Sequence, residues 1–113
     1  GDVGDGVTQA GMGGFYAAAG SYTTAIGGSG VNDGAWHHLV GVHDNGTLTL
    51  YVDGAFAGTG SGGASDNGAH LIVGGLFNGS GTPVNAFSGE VDEVAFYDLA
   101  LTAAEVTAVH QQY

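Results

Sequence analysis

Glu90-Val-Asp92-Glu93 is the densest group of carboxylates in the chain. On a strand, Glu90 and Asp92 share a face because alternate residues do. Paired carboxylates are the usual equipment for general acid–base work on a polar substrate. The histidines are a second source of chemistry: His37, His38, His43, His70 and His110. Adjacent His37 and His38 point to opposite faces of a strand and cannot share an ion. His37 and His43 share a face but lie about 20 Å apart at strand rise. A transition-metal site of histidines alone is therefore not expected. One of the pair should instead pack half-buried, its ring N–H met by Asp53 or by backbone.

Hard oxygen donors form the third group. The dipeptides Asn32-Asp33, Asp44-Asn45 and Asp66-Asn67 supply carboxylates and amides of the kind calcium takes, with Asp33 and Asp66 as candidate ligands. The same residue types are ordinary turn formers, and no stretch has EF-hand spacing. Sugar binding would need exposed aromatics beside amides, and Tyr16, Tyr22, Tyr51, Phe77 and Asn78 are the candidates. Each of these could equally be core or interface. Asn45-Gly-Thr47 and Asn78-Gly-Ser80 match the glycosylation sequon, which has meaning only in a secreted protein, and both also read as turns.

These side chains are positioned by a hairpin over residues 36–54, WHHLVGVHDNGTLTLYVDG. Asn45-Gly46 between β-rich runs is a strong hairpin signal. A two-residue turn sets Leu39 opposite Val52 and Val40 opposite Tyr51. A three-residue loop with Gly46 left-handed instead gathers Trp36, His38, Val40, Val42, Leu48, Leu50 and Val52 on one face. His37, His43, Thr47, Thr49 and Asp53 then share the other. Burial pins register, so the second, cleaner separation is the expected one. In both registers a histidine, His37 or His38, sits across from Asp53. Trp36, Leu50, Val52, Val94 and Phe96 are expected in the core.

Around that hairpin the chain reads as residues 1–14, a glycine-rich arm or loop, and then short strands. These are expected at 15–19, 22–26, 55–59, 70–74 and 87–97, with loops at 58–68 and 77–85. Thr102-Ala-Ala-Glu105 has the spacing of a capping box and opens a short terminal helix. Seven short strands separated by turns argue an antiparallel β-sandwich.

Trp36-His-His with Leu50-Tyr-Val-Asp-Gly54 resembles the central hairpin of laminin-G-like domains of the concanavalin A-like lectin/glucanase superfamily. Residues 87–98, FSGEVDEVAFYD, and Leu101-Thr-Ala-Ala-Glu-Val resemble that family's closing strand and terminal helix. The resemblance implies an all-β jelly-roll sandwich with a short C-terminal helix, spanning residues 15–113 and beginning part-way through the family's domain. It gives Trp36, His37, His38, Asp53, Gly54 and Asp92 structural roles, with Asp92 accepting hydrogen bonds where its strand enters the sandwich. Glycosidases of the superfamily carry Glu-x-Asp-x-x-Glu, and position 95 here is Ala95. No catalytic residue is therefore expected.

Composition narrows the partners. The 113 residues carry no Lys or Arg and 11 Asp plus Glu, a formal charge of −11. Nucleic acid and anionic lipid are held by Lys and Arg, so neither is expected. Salt adaptation, protease resistance of an exported structural protein and family drift all remain open as reasons. There is no cysteine for a disulfide, and no apolar run approaches the roughly 20 residues of a membrane span. No signal-peptide pattern is present, so a secreted form would be mature or trimmed. The expected function is a non-catalytic extracellular structural or adhesion module that self-assembles through open sheet edges or completes a larger chain. The alternative is a carbohydrate-binding module, with calcium as the cofactor such a site could use.

Overall fold

A computed structural model describes residues 13–18, 22–27, 30–61, 76–77, 80–84 and 88–113, with side chains over 30–61, 80–83 and 88–113. The chain divides into two compact units, residues 1–65 with 97–113, and residues 66–96. The candidate strand at 70–74 and residues 1–12 of the arm expected at 1–14 lie outside the described residues, while Gly13 and Gly14 of that arm belong to a strand.

Among the described residues the first unit holds five strands and one helix: β1 (Gly13–Ala18), β2 (Tyr22–Gly27), β3 (Leu39–Asp44), β4 (Thr47–Val52), β5 (Ala55–Ser61) and α1 (Ala103–His110). All pairings are antiparallel, β1 with β2 and then β3-β4-β5 in order. The β1–β2 hairpin lies against β4 and β5.

The β3–β4 register corrects the expected one. Leu39 pairs with Val52, Val40 with Tyr51 and Asp44 with Thr47, leaving a two-residue turn. Asn45 and Gly46 both have positive φ, 47° and 84°. That pair of left-handed residues matches the right-handed twist of the flanking strands, and Asn-Gly adopts it readily. Turn chemistry therefore outweighed the cleaner separation of polar from apolar residues. As a result Leu48 and Leu50 share a face with Gly41 and His43, while Val42 lies on the other beside Thr49.

Leu48 and Leu50 are 0% and 1% exposed, with Val52 and Ala57 packed against them. In the ladder Leu50 is flanked by Gly41 and Gly58, so it alone fills that level of the sheet. Val42 is buried as well. Asp53 and Gly54 form a second tight turn with φ of 53° and 80°, and a register shift follows at Leu50/Tyr51.

Trp36 was expected in the core and is 66% exposed. The ladder starts at Leu39, so Trp36 belongs to the preceding loop and has no cross-strand partner. Val94 and Phe96 are likewise exposed, not buried. Residues 88–97 form no strand, and Glu93 has φ +53°, which interrupts an extended run. Without a ladder there is no period of two to turn Val94 and Phe96 inward.

The second unit contains β6 (Leu76–Phe77) and β7 (Pro83–Val84), paired antiparallel. Helix α1 opens with the expected capping box: Glu105 N–H donates to Thr102 Oγ1 at 3.2 Å, and Thr102 N–H to Glu105 Oε1 at 3.0 Å. Val106 is fully buried and anchors the helix. Among the described residues no helix is long and apolar enough to cross a membrane.

Candidate functional site

The chemistry of the described residues gathers where the loop before β3, the β4–β5 turn and the end of α1 meet. Asp53 sits in the left-handed turn after β4, and its backbone N–H donates to His38 O at 2.8 Å. Its carboxylate turns back along β3: Oδ1 accepts His38 N–H at 2.9 Å and Oδ2 accepts His37 Nδ1–H at 2.8 Å. The other ring nitrogen of His37 donates to Asp33 Oδ1 at 2.9 Å, and the same oxygen accepts Ala35 N–H.

Ionised carboxylates only accept, so both ring nitrogens must carry hydrogen and His37 is an imidazolium. Its pKa is raised, first by the Asp53 hydrogen bond and then by that to Asp33. Asp33 is lowered chiefly by its bond to His37. Burial pushes Asp53 up, but the bonds from His37 and His38 outweigh it and the net shift is downward. A general base needs a free lone pair, and this ring has none. The arrangement is a clamp tying the 33–37 loop to the β4–β5 turn.

His38 has a different environment. Its ring stacks on His110 with centroids 5.3 Å apart and planes at 29°, and Tyr113 lies 5.3 Å from it on a tilted plane. Nδ1 of His38 and Nδ1 of His110 are both buried without a hydrogen-bond partner among the described residues. Burial lowers the pKa of His38, and His110 lowers it further. His110 lies so close over Gly54 that a Cβ there would come within 2.9 Å of its Cδ2. Thr107 Oγ1 shares its hydrogen between Gly54 O at 3.2 Å and Ala103 O at 3.1 Å.

The remaining candidates are dispersed. Tyr16 and Tyr22 lie in the β1–β2 ladder opposite Thr24 and Ala18, and Phe77 is opposite Pro83. Asn78 and Asp66 lie outside the described residues. Tyr51 meets Phe56 edge-on, with centroids 6.4 Å apart, and Phe56 is 63% exposed. The Asp53–Gly54 turn brings these two rings across the ladder, a cross-strand pairing that the choice of Tyr51 alone overlooked.

Asp92 Oδ1 accepts Glu93 N–H at 2.8 Å. The left-handed φ of Glu93 breaks the strand that would have lined up Glu90 and Asp92. Asp33, the candidate calcium ligand, directs its Oδ1 to His37 and to Ala35 N–H. No cluster of three or more His, Cys, Asp or Glu among the described residues could hold a metal. A groove of about 460 Å³ runs between α1 and residues 97–101, lined by Tyr97, Leu99, Leu101, Glu105 and Val109. His110 and Tyr113 carried no local signal, because only the docking of α1 brings them to His38.

Residues 1–107 match the family model described as the concanavalin A-like lectin/glucanases superfamily, a laminin-G model. No curated protein matches the chain significantly. Among solved structures, the fold is similar to the 2.1 Å crystal structure of residues 221–444 of an S-layer domain-containing protein from Clostridium thermocellum. The TM-score is 0.60 at 19% identity, over 79% of this chain and 51% of that one. The chain thus spans about half of that structure, and the likeness shows a shared fold.

Proposed function

The chain belongs to the concanavalin A-like lectin/glucanase superfamily, and from that premise we propose that it is a non-catalytic extracellular structural or adhesion module that assembles with copies of itself. The jelly-roll arrangement of the family is part of this reading. One observation carries it. In the unit of residues 66–96, Val91, Val94 and Phe96 are 52%, 59% and 79% exposed. A run of large apolar side chains left in water is a hallmark of a surface that another protein covers. Strand β3 ends the described β3-β4-β5 sheet, with no further strand paired to it among the described residues. The S-layer domain of the structural neighbour supports a cell-surface setting.

With no Lys or Arg, contacts between copies rest on apolar burial and backbone hydrogen bonds, and the −11 charge opposes them. Salt screens that repulsion, with a Debye length of about 3 Å at 1 M. Light scattering after size exclusion, over a concentration series in low and high salt, tests the proposal. Growth in mass with concentration and salt, abolished by Val94→Ser with Phe96→Ser, is expected. A monomer under every condition overturns it.

The edge-to-face Tyr51–Phe56 pair favours a second reading, carbohydrate binding by a module of a larger surface protein or glycosidase. Phe56 presents an exposed ring of the kind sugars stack on. Retention on polysaccharide that Phe56→Ala removes, without change in mass, would establish that reading instead.

A further inference from the structure

We propose that the stacked rings of His38 and His110 form an acid-sensitive latch that holds the C-terminal end of α1 on the β4–β5 turn and releases it when His38 is protonated. Three contacts dock that end: the stack itself, Tyr113 against His38, and Thr107 on the carbonyl of Gly54. The first two involve the His38 ring, so the docking depends on the charge it carries.

The groups facing the pair are few. From the loop before β3 comes His37, held as an imidazolium between Asp33 and Asp53. From the β4–β5 turn comes the Asp53 carboxylate, whose two oxygens already receive His37 and the His38 backbone. From α1 and the residues after it come His110 and the Tyr113 ring. Among the described residues no carboxylate is hydrogen-bonded to either ring, and Asp53 favours a charged His38 only through space, less than burial and His110 disfavour it. Each Nδ1 is closed to water, so protonation of His38 adds a positive charge beside another imidazole and deepens an existing desolvation.

The sign follows. His38 is held below its ordinary value of 6.5, first by burial and then by His110. Its contribution to docking is present above that value and is lost as pH falls toward the lowered folded value. His37, one residue away, responds oppositely, because acid preserves its two ion pairs. The latch therefore opens while the loop clamp holds, leaving the sheet intact and α1 free. A metal reading of the same pair fails for want of ligands: among the described residues no third His, Asp or Glu joins them.

Amide hydrogen exchange on the whole chain tests this, at about pH 7.5 and about pH 5, on either side of the ordinary histidine pKa of about 6.5. Protection factors of the α1 amides from Val106 to Gln112 should fall in acid while those of β4 hold. His38→Phe and His110→Phe keep a stacked ring without a charge and should remove the pH dependence. Unchanged protection in the wild type, or the same fall in a folded Phe variant, overturns the proposal. If the variants do not fold, nitrogen-15 shifts of the wild-type histidines decide. Loss of α1 protection in step with protonation of His38 supports the latch. Loosening while His38 and His110 both stay neutral refutes it.

Discussion

His37 Nδ1 lies 2.8 Å from Asp53 Oδ2, although it is the backbone of His38, not His37, that Asp53 N–H bonds just beyond the end of the ladder. The left-handed backbone at Asp53 is the reason. It swings the carboxylate off the strand line, so that one oxygen takes the backbone of the paired residue and the other takes the ring of its neighbour. Two adjacent histidines thereby acquire opposite tendencies, His37 toward the charged form and His38 toward the neutral one.

The first prediction is a pH window for this clamp. The His37 share of stability is complete below its ordinary value of 6.5 and is lost as pH rises through its raised folded value. The Asp33 and Asp53 shares are complete above 3.8 and are lost as pH falls through their lowered values. Urea midpoints of wild type and Asp53→Asn should differ most between those limits and converge outside them. The His37 ring protons should titrate at lower pH in Asp53→Asn. Identical titration curves would remove the pair from the account.

Leu50→Ala should cost on the order of 2–5 kcal/mol, toward the upper part of that range. Leu50 is 1% exposed, and its ladder neighbours Gly41 and Gly58 have no side chains to collapse into the space. Urea unfolding measures it, and a cost under about 1 kcal/mol would contradict the assigned core.

Gly54 and Gly34 make a controlled pair. Both have positive φ, 80° and 83°, so an alanine at either meets the left-handed penalty of about 1–2 kcal/mol. At Gly34 the new methyl meets nothing within 4 Å, whereas at Gly54 it presses on the ring of His110 at 2.9 Å. Gly54→Ala should therefore destabilise more than Gly34→Ala and also lower exchange protection in α1. Equal costs with α1 undisturbed would mean that the helix does not rest on this turn.

Thr102→Ala should cost about 1 kcal/mol through loss of the N-cap, and Thr102→Asn much less. The hydroxyl accepts Glu105 N–H, while Glu105 returns a bond to the Thr102 backbone that holds its carboxyl below the usual range. Thermal unfolding of the two variants side by side would show the difference. Equal melting temperatures would assign the helix start to packing of Val106 instead.

Much of the local structure was legible because it is written in near neighbours. Asn45-Gly46 marked the hairpin, and Thr102 with Glu105 marked the helix start. Leu50 was placed in the core by strand alternation and is there. The register was misjudged because apolar separation was weighed above the backbone preference of the turn. The strand expected over residues 87–97 failed at Glu93, whose positive φ nothing in its immediate neighbours announces. Val94 and Phe96 consequently lie in water.

By itself, the sequence determined what depends on residue type and short spacing: a mostly antiparallel β chain, a superfamily, a capped terminal helix, and a formal charge of −11 with no Lys or Arg. It also placed a histidine beside Asp53. Only the tertiary structure decided which histidine takes the carboxylate and which stacks on the helix. That choice rests on contacts spanning 16 residues from His37 to Asp53 and 53 from Gly54 to Thr107. Such contacts are set by the turn geometry and by the docking of α1, and a side chain's charge state follows from what is finally packed against it.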